Sequence, residues 1–153
     1  MSVQVIGLVF SGVKKEGDFN WMAQQIQYAD ALFVFNDNAE QFLHHRAAPT
    51  DTSGPGCTPG GGNAIIRPLQ CQTPPRAAGI PTGSHGRGFD TLDTTAKELI
   101  DQAIASIEQV VRQYGYKRIF YSAQDASGIL GTGIFRVGHD VKQYITDRLK
   151  GLV

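Results

Sequence analysis

Three consecutive glycines, Gly60, Gly61 and Gly62, stand in the stretch GPGCTPGGGNAIIRPLQ, which runs from residue 54 to residue 70. Glycine has no Cβ, so its backbone N–H groups can approach an anion closely. A second stretch, IPTGSHGRGF (residues 80–89), also contains several glycines. Two such loops facing each other predict a cradle for a diphosphate. Tight turns alone are the alternative explanation of these glycines.

Cationic and polar side chains accompany the glycine loops. Arg67, Arg76 and Arg87 fall in or beside them, and arginine can bind a phosphate through two parallel hydrogen bonds. Ordinary solvated surface charge is the alternative for each arginine. His85 lies inside the second loop, where it could donate to a phosphate or act as a general acid or base. Asn63 directly follows the glycine triplet.

A second polar group ends the apolar run DALFVFNDN, which covers residues 30–38. Asp37, between Asn36 and Asn38, is the carboxylate most favourably placed to orient water near a ligand. An Asx turn or a helix N-cap is the alternative for Asp37. Neither Ser84 nor Ser122 lies in the strand–GxSxG–helix elbow of a serine nucleophile.

The cysteines and histidines predict no metal site and no cofactor. Cys57 and Cys71 lack C-x-x-C spacing, and free thiols in a reducing compartment are expected for them. The adjacent His44 and His45 do not form an i, i+4 ligand pair.

The first residues show no signal-peptide pattern, and no stretch approaches about 20 apolar residues. These features predict a cytoplasmic protein with no membrane association.

The length and the charge balance bear on the number of domains and on the kind of partner. The 153 residues predict a single domain spanning 1–153. Acidic and basic side chains balance, 14 against 14, whereas a protein that coats nucleic acid usually has a basic excess. The sequence does not indicate an oligomeric state.

The hydrophobic pattern alternates between strand-like and helix-like segments. This alternation predicts an α/β fold, a three-layer αβα arrangement with a mostly parallel central sheet. In such sheets ligands bind beyond the carboxyl ends of the strands. Residues 47–88 are expected to form a long loop region, and GILGTGIF (residues 128–135) could be another loop closing over a ligand. The predicted strands are residues 3–10, 30–36 and 117–123, and the predicted helices are 18 to about 28, one from Asn38, one from about 94 to 114, and the last from about 139.

Four motifs occur in the order found in macro domains, which are ADP-ribose-binding modules. They are GDFN (residues 17–20), DALFVFNDN (30–38), GGGNAI (60–65) and IPTGSHGRGF (80–89). The helix from Thr94 and the strand RIFYSA resemble the helix and strand that follow in that family. The resemblance covers the chain from Gly17 to Ala123 and implies a macro-domain-like fold that binds ADP-ribose or a related nucleotide.

The resemblance also implies roles for individual residues. Asp18 would receive the adenine amine, and Asn36 or Asn38 would stand by the distal ribose. Phe89 would stack on, or flank, the ribose. The remaining implied contacts are glycine loops: Gly60, Gly61 and Gly62 at the distal ribose and diphosphate, and Thr82, Gly83, Ser84 and Gly86 as a second phosphate loop.

Three functions remain open from the sequence. The first is an enzyme that hydrolyses ADP-ribose linkages or the terminal phosphate of ADP-ribose-1″-phosphate, with Asn36, Asp37 and His85 as candidate catalytic residues. The second is a binding protein without turnover that sequesters a nucleotide second messenger, as some phage anti-defence proteins do. The third is an interaction protein whose glycine loops are only turns.

Overall fold

A five-stranded sheet organises the computed structural model, which describes residues 2–133 and 135–153. The strands β1, β5, β2 and β3 are parallel, and the short β4 pairs antiparallel with β3. Their order across the sheet is β1-β5-β2-β3-β4. The predicted α/β class with a mostly parallel sheet is therefore confirmed. The strands are β1 (Gln4–Leu8), β2 (Ala31–Asn38), β3 (Ala77–Ser84), β4 (Arg87–Gly88) and β5 (Arg118–Ser122).

The helices begin and end at residues whose side chains or backbone suit those positions. Asn38 caps the second helix, because its Oδ1 accepts the amide of Gln41 at 2.8 Å. Asp93 caps the third helix, and Gly115, at φ +70°, ends it. The α-helices are α1 (Phe19–Met22), α2 (Ala39–Ala47), α3 (Thr94–Tyr114) and α4 (His139–Lys150), and the 3₁₀ helices are Ile26–Tyr28, Pro55–Cys57 and Gly62–Cys71.

The helix predicted from Asp18 to Tyr28 is shorter in the structure. Asp18 does cap it, but α1 ends at Met22, and a separate 3₁₀ turn spans Ile26–Tyr28. Ile26 was predicted to share the buried face of one long helix, yet its side chain is exposed. The apolar spacing therefore extended beyond the residues that actually pack against the sheet.

Strand β2 supplies side chains to two hydrophobic clusters. Leu32 and Val34 pack with residues of α3 and α4, whereas Phe33 and Phe35 pack with Phe19 and other residues of the second cluster. Successive side chains of a strand point to opposite faces of a sheet, so both faces of β2 are covered. This explains why its sequence is an almost continuous apolar run.

Part of the long loop predicted for residues 47–88 is a strand. β3 lies beside β2 and is buried along almost its whole length. It was not predicted as a strand because it contains Gly79 and Pro81, and both residue types are depleted in strands. Gly79 is required because a Cβ there would lie 2.7 Å from Asp37 Oδ2. Pro81 is tolerated because β4 pairs with β3 only at Gly83 and Ser84.

The β3–β4 hairpin gives a matched test of two glycines. A Cβ at Gly83 would lie 2.1 Å from the carbonyl oxygen of Arg87, whereas a Cβ at Gly86 would meet nothing within 4 Å. Gly86 does have φ +77°, so its change to alanine should cost about 1 kcal/mol. Gly83→Ala should cost about 3 kcal/mol, because the strands must separate. Urea unfolding of both variants measures this, and equal losses would contradict the close approach of the strands at Gly83.

The prediction of free thiols is wrong, because the structure joins Cys57 and Cys71 in a disulfide. The 3₁₀ helix Pro55–Cys57 lies against the end of Gly62–Cys71, which brings the two Cα atoms to 6.0 Å. Sequence spacing does not show this proximity. Across residues 2–133 and 135–153, no helix has the length and apolar character needed to cross a membrane.

Candidate functional site

A cavity of about 1330 Å³ opens at the carboxyl ends of the parallel strands. Asn36 lies near the end of β2 on this side, Thr82 lies near the end of β3, and Ser122 ends β5. Val9 follows the last residue of β1 and also lines the cavity. This is the edge at which open α/β sheets bind their ligands.

All but two of the predicted site residues line this cavity. The exceptions are His85, which is exposed at the tip of the β3–β4 hairpin, and Phe89, which packs against the hydrophobic core. The predicted stacking role of Phe89 therefore does not fit its position. The lining residues among those predicted are Asp18, Asn36, Asp37, Asn38, Gly60, Gly61, Gly62, Asn63, Arg67, Thr82, Gly83, Ser84, Gly86 and Arg87.

Asn63 fastens the glycine triplet to the edge of the sheet. Its Oδ1 accepts the amide of Asn36 at 2.9 Å, and its Nδ2 donates to Ser122 Oγ at 3.0 Å. The Nδ2 of Asn36 in turn donates to the carbonyl oxygen of Gly131 at 2.8 Å. Two glycine-bearing segments, one before Asn63 and one at Gly131, are thereby held at the same edge.

The backbone amides at the glycine triplet are only partly used by the protein. The amide of Gly60 donates to the carbonyl oxygen of Ala64 at 3.0 Å. The amides of Gly61, Gly62 and Asn63 have no acceptor among residues 2–133 and 135–153. They precede the 3₁₀ helix Gly62–Cys71, and unpaired N–H groups at such a start attract anions.

Asp37 and Arg67 form a buried ion pair at the base of this segment. Arg67 Nη2 and Nε donate to Asp37 Oδ1 at 2.9 and 3.2 Å, and Nη1 donates to the carbonyl oxygen of Thr58 at 2.8 Å. The Asp37 side chain is 0% exposed and that of Arg67 is 4% exposed. Burial raises the pKa of Asp37, although the charge of Arg67 opposes that shift. Arg67 is therefore not available to bind a phosphate, and Asp37 is not available to orient water near a ligand, which are the roles that were predicted for them.

The second predicted phosphate loop is already occupied by a carboxylate. Ser84 Oγ donates to Glu40 Oε2 at 2.6 Å, and the amide of His85 donates to Glu40 Oε1 at 2.8 Å. Partial desolvation raises the pKa of Glu40, but these hydrogen bonds lower it, and the pKa lies below its usual value. Ser84, which was expected to help hold a phosphate, thus binds Glu40 together with the amide of His85.

Another glycine segment, residues 131–133, faces the cavity instead. The amide of Gly131 donates to the carbonyl oxygen of Ser122 at 2.9 Å. Within the described ranges 2–133 and 135–153, the amides of Thr132 and Gly133 have no acceptor. The sequence stretch GILGTGIF had suggested a closing loop, and the structure places two of its glycines, Gly131 and Gly133, at the cavity.

Two side chains expected to bind ligand serve as helix caps. Asp18 Oδ2 accepts the amide of Lys14 at 2.8 Å, and its Oδ1 accepts the amide of Trp21 at 3.4 Å. Asn38 exchanges hydrogen bonds with Gln41 at the start of α2. Both residues line the cavity, but their polar atoms already have partners in the protein.

Positive charge lines the cavity at residues that the sequence did not single out. Arg136 and Lys142 line it together with Arg87. The ion pairs in the described part of the chain involve neither Arg87 nor Arg136. Arg76, which was also considered near a phosphate, instead donates to backbone oxygens such as that of Tyr28. It precedes β3 and so lies at the opposite edge of the sheet.

Four large apolar side chains also line the cavity while remaining 46–57% exposed. They are Val9, Phe10, Ile65 and Phe135. Apolar side chains that converge on one opening are typical of a site for a ligand with an apolar surface. Sequence reasoning missed them because apolar residues are ordinarily assigned to the core.

One group outside the cavity has the chemistry to hold a metal ion. His45, Cys57 and Cys71 offer three ligand atoms within 4.8 Å of one another, and no other such group occurs among residues 2–133 and 135–153. No metal site was expected from the spacing of these residues. The fold brings α2 and two 3₁₀ helices together at this point.

Comparison of the chain with family models, with curated proteins and with solved structures gave no match. The macro-domain resemblance therefore remains a prediction from four short motifs.

Proposed function

We propose that the protein binds ADP-ribose or a related nucleotide, with the diphosphate held at the glycine segments of the cavity. One observation carries the proposal. Gly61, Gly62 and Asn63, whose amides have no acceptor among the described residues, line the same cavity as Arg87 and Arg136. Backbone amides and arginines are the groups that proteins use to bind phosphates.

The size and lining of the cavity suit a nucleotide. Its volume of about 1330 Å³ exceeds the roughly 300–1,000 Å³ of an ordinary ligand pocket. Exposed apolar side chains such as Phe10 and Phe135 offer surfaces for a base or a ribose face. The positive charge and the backbone amides suit the diphosphate, and the apolar side chains suit the base and the ribose.

The proposal includes a macro-domain-like, three-layer αβα fold. Support comes from the two hydrophobic clusters to which β2 contributes alternate side chains. The position of the cavity at the carboxyl ends of the strands agrees with the site that the motif resemblance implies.

Binding without turnover is favoured over hydrolysis by the state of the candidate catalytic residues. Asp37 is buried in an ion pair, and Asn36 uses its Nδ2 to hold Gly131. His85 lies outside the lining of the cavity. A general base must reach the reacting atoms or a water beside them, and these three side chains do not supply one. We therefore propose a protein that sequesters its nucleotide.

Calorimetry tests the proposal. ADP-ribose is expected to bind with one site per chain, and adenosine to bind far more weakly because it lacks the diphosphate. Inorganic pyrophosphate should compete with ADP-ribose, since both need the same amides. Absence of heat with ADP-ribose, NAD and cyclic dinucleotides would contradict nucleotide binding.

Recovery of the ligand separates binding from turnover. Protein saturated with ADP-ribose is denatured after incubation, and the released molecule is measured by mass spectrometry. Parallel incubations use ADP-ribosylated protein and ADP-ribose-1″-phosphate. All three should be recovered unchanged, and release of ADP-ribose or phosphate from them would instead establish hydrolysis.

A further inference from the structure

The cluster of His45, Cys57 and Cys71 joins three separate elements. His45 lies in the last turns of α2, Cys57 ends the 3₁₀ helix Pro55–Cys57, and Cys71 ends the 3₁₀ helix Gly62–Cys71. The Nδ1 atom of His45 is 3.8 Å from Cys71 Sγ. All three ligand atoms lie within 4.8 Å of one another. The imidazole therefore faces the sulfur pair rather than solvent alone.

These groups match the ligand preferences of one metal in particular. Thiolate sulfur and imidazole nitrogen bind Zn²⁺ at about 2.3 and 2.0–2.1 Å, in tetrahedral sites that include the Cys₂His set with an open fourth position. We propose that reduction of the Cys57–Cys71 disulfide converts this cluster into a Zn²⁺ site, with His45 as the third protein ligand and water as the fourth.

The surrounding contacts show that little rearrangement is needed. A Cβ on Gly56 would lie 2.6 Å from the Cβ of His45, so the 3₁₀ helix Pro55–Cys57 packs directly on α2. The carbonyl oxygen of Gly56 accepts Gln70 Nε2 at 2.6 Å and lies 3.6 Å from Cys71 Sγ. The backbone that carries the three ligands is thus already docked, and side-chain rotation can separate the sulfurs around an ion.

A dithiol reductant gives two electrons and two protons to the Cys57–Cys71 sulfurs, and it leaves as its own disulfide. The S–S bond breaks and two thiols form. Zn²⁺ then displaces the two thiol protons to solvent and bonds to both thiolates and to the neutral imidazole of His45.

The consequence concerns the segment between the two cysteines, which contains Gly60, Gly61, Gly62, Asn63 and Arg67. In oxidising surroundings the disulfide closes this segment. In reducing surroundings a disulfide does not persist, and Zn²⁺ would keep the same segment closed. The metal site is independent of which ligand the cavity binds.

Cobalt titration tests the site, because Co²⁺ replaces Zn²⁺ and absorbs light when bound to thiolates. The full-length protein is reduced with a dithiol, which is then removed anaerobically, and Co²⁺ is added. We expect one Co²⁺ per chain, with thiolate-to-cobalt charge-transfer bands that Zn²⁺ abolishes. Protein kept oxidised should show none of these bands.

His45 and its neighbour His44 provide a matched pair of variants. His45→Ala should weaken Co²⁺ binding at least about tenfold, because a ligand is lost. His44→Ala should leave binding unchanged, because the His44 ring is not part of the cluster. Its Nε2 instead lies 3.6 Å from Asp51 Oδ2. His45→Asn is the second variant, and circular dichroism checks folding in each case. No charge-transfer absorption in the reduced protein, or equal affinity in wild type, His45→Ala and His45→Asn, would overturn the proposal.

Discussion

Arg67→Met is expected to lower the free energy of unfolding by about 3–5 kcal/mol at pH 7, because it leaves a buried carboxylate without its partner. Asp37 is wholly buried, and Arg67 supplies both the neighbouring charge and two of the hydrogen bonds to Oδ1. Methionine retains much of the apolar stem of arginine but none of its donors. Urea unfolding followed by fluorescence of Trp21 measures the loss.

The same variant should be less destabilised at low pH. Burial already raises the pKa of Asp37 above its usual 3.8, and Arg67 is the largest opposing cause. Removing Arg67 therefore raises that pKa further. A carboxyl group with a raised folded-state pKa favours the folded state below its unfolded pKa, and this contribution is lost as the pH rises through the folded pKa. The loss in Arg67→Met should accordingly be smaller at pH 4 than at pH 7.

A double variant provides the control for this prediction. Arg67→Met combined with Asp37→Asn removes both charges, so the difference between pH 4 and pH 7 should largely disappear. Part of the stability at pH 7 should also return, since no isolated charge remains buried. Equal losses for the single variant at both pH values would show that Asp37 is not the group responsible.

Reversal of two charges at the cavity is expected to weaken nucleotide binding strongly. Arg87→Glu together with Arg136→Glu should weaken the affinity for ADP-ribose at least about a hundredfold. A hydrogen bond to a charged group contributes about 1.5–3 kcal/mol, and each 1.4 kcal/mol is a factor of ten. Both side chains are exposed, so stability should change by less than about 0.5 kcal/mol. Calorimetry with ADP-ribose measures the affinity.

Arg112→Glu is the matched control for the charge reversal. Arg112 is an exposed residue of α3 outside the lining of the cavity, and the substitution changes the charge by the same amount per residue. Its affinity for ADP-ribose should equal that of the wild type. A similar loss in Arg112→Glu would point to a general electrostatic effect, and an unchanged double variant would remove the arginines from the proposed site.

Much of the fold could be predicted because its signals are local. Asn38 and Asp93 cap their helices through side chains three residues from the amides they bind. The apolar run of β2 needs no partner to be recognised as a buried strand. β3 was missed because the reasons for Gly79 and Pro81 lie in neighbouring strands, where Asp37 needs space and β4 is short.

The position of the cavity could be predicted from the sequence, but which of its residues are already bound to other parts of the protein could not. Glycine and asparagine after strands indicated the correct edge of the sheet. The partners that decide their chemistry are distant in the chain: Glu40 binds the loop at Ser84, and Asp37 binds Arg67. The Cys57–Cys71 bond depends in the same way on how two 3₁₀ helices meet. Local patterns show which groups are present, whereas tertiary packing determines which of them are already engaged.

The central position of β2 has a consequence for how the molecule unfolds. Its side chains enter both hydrophobic clusters, so unpacking either cluster removes part of the burial that stabilises β2. The domain should lose its structure in one cooperative transition, without a half-folded intermediate. The amides of Leu32 to Phe35 should then exchange with deuterated solvent only through global unfolding, and more slowly than those of the β3–β4 turn.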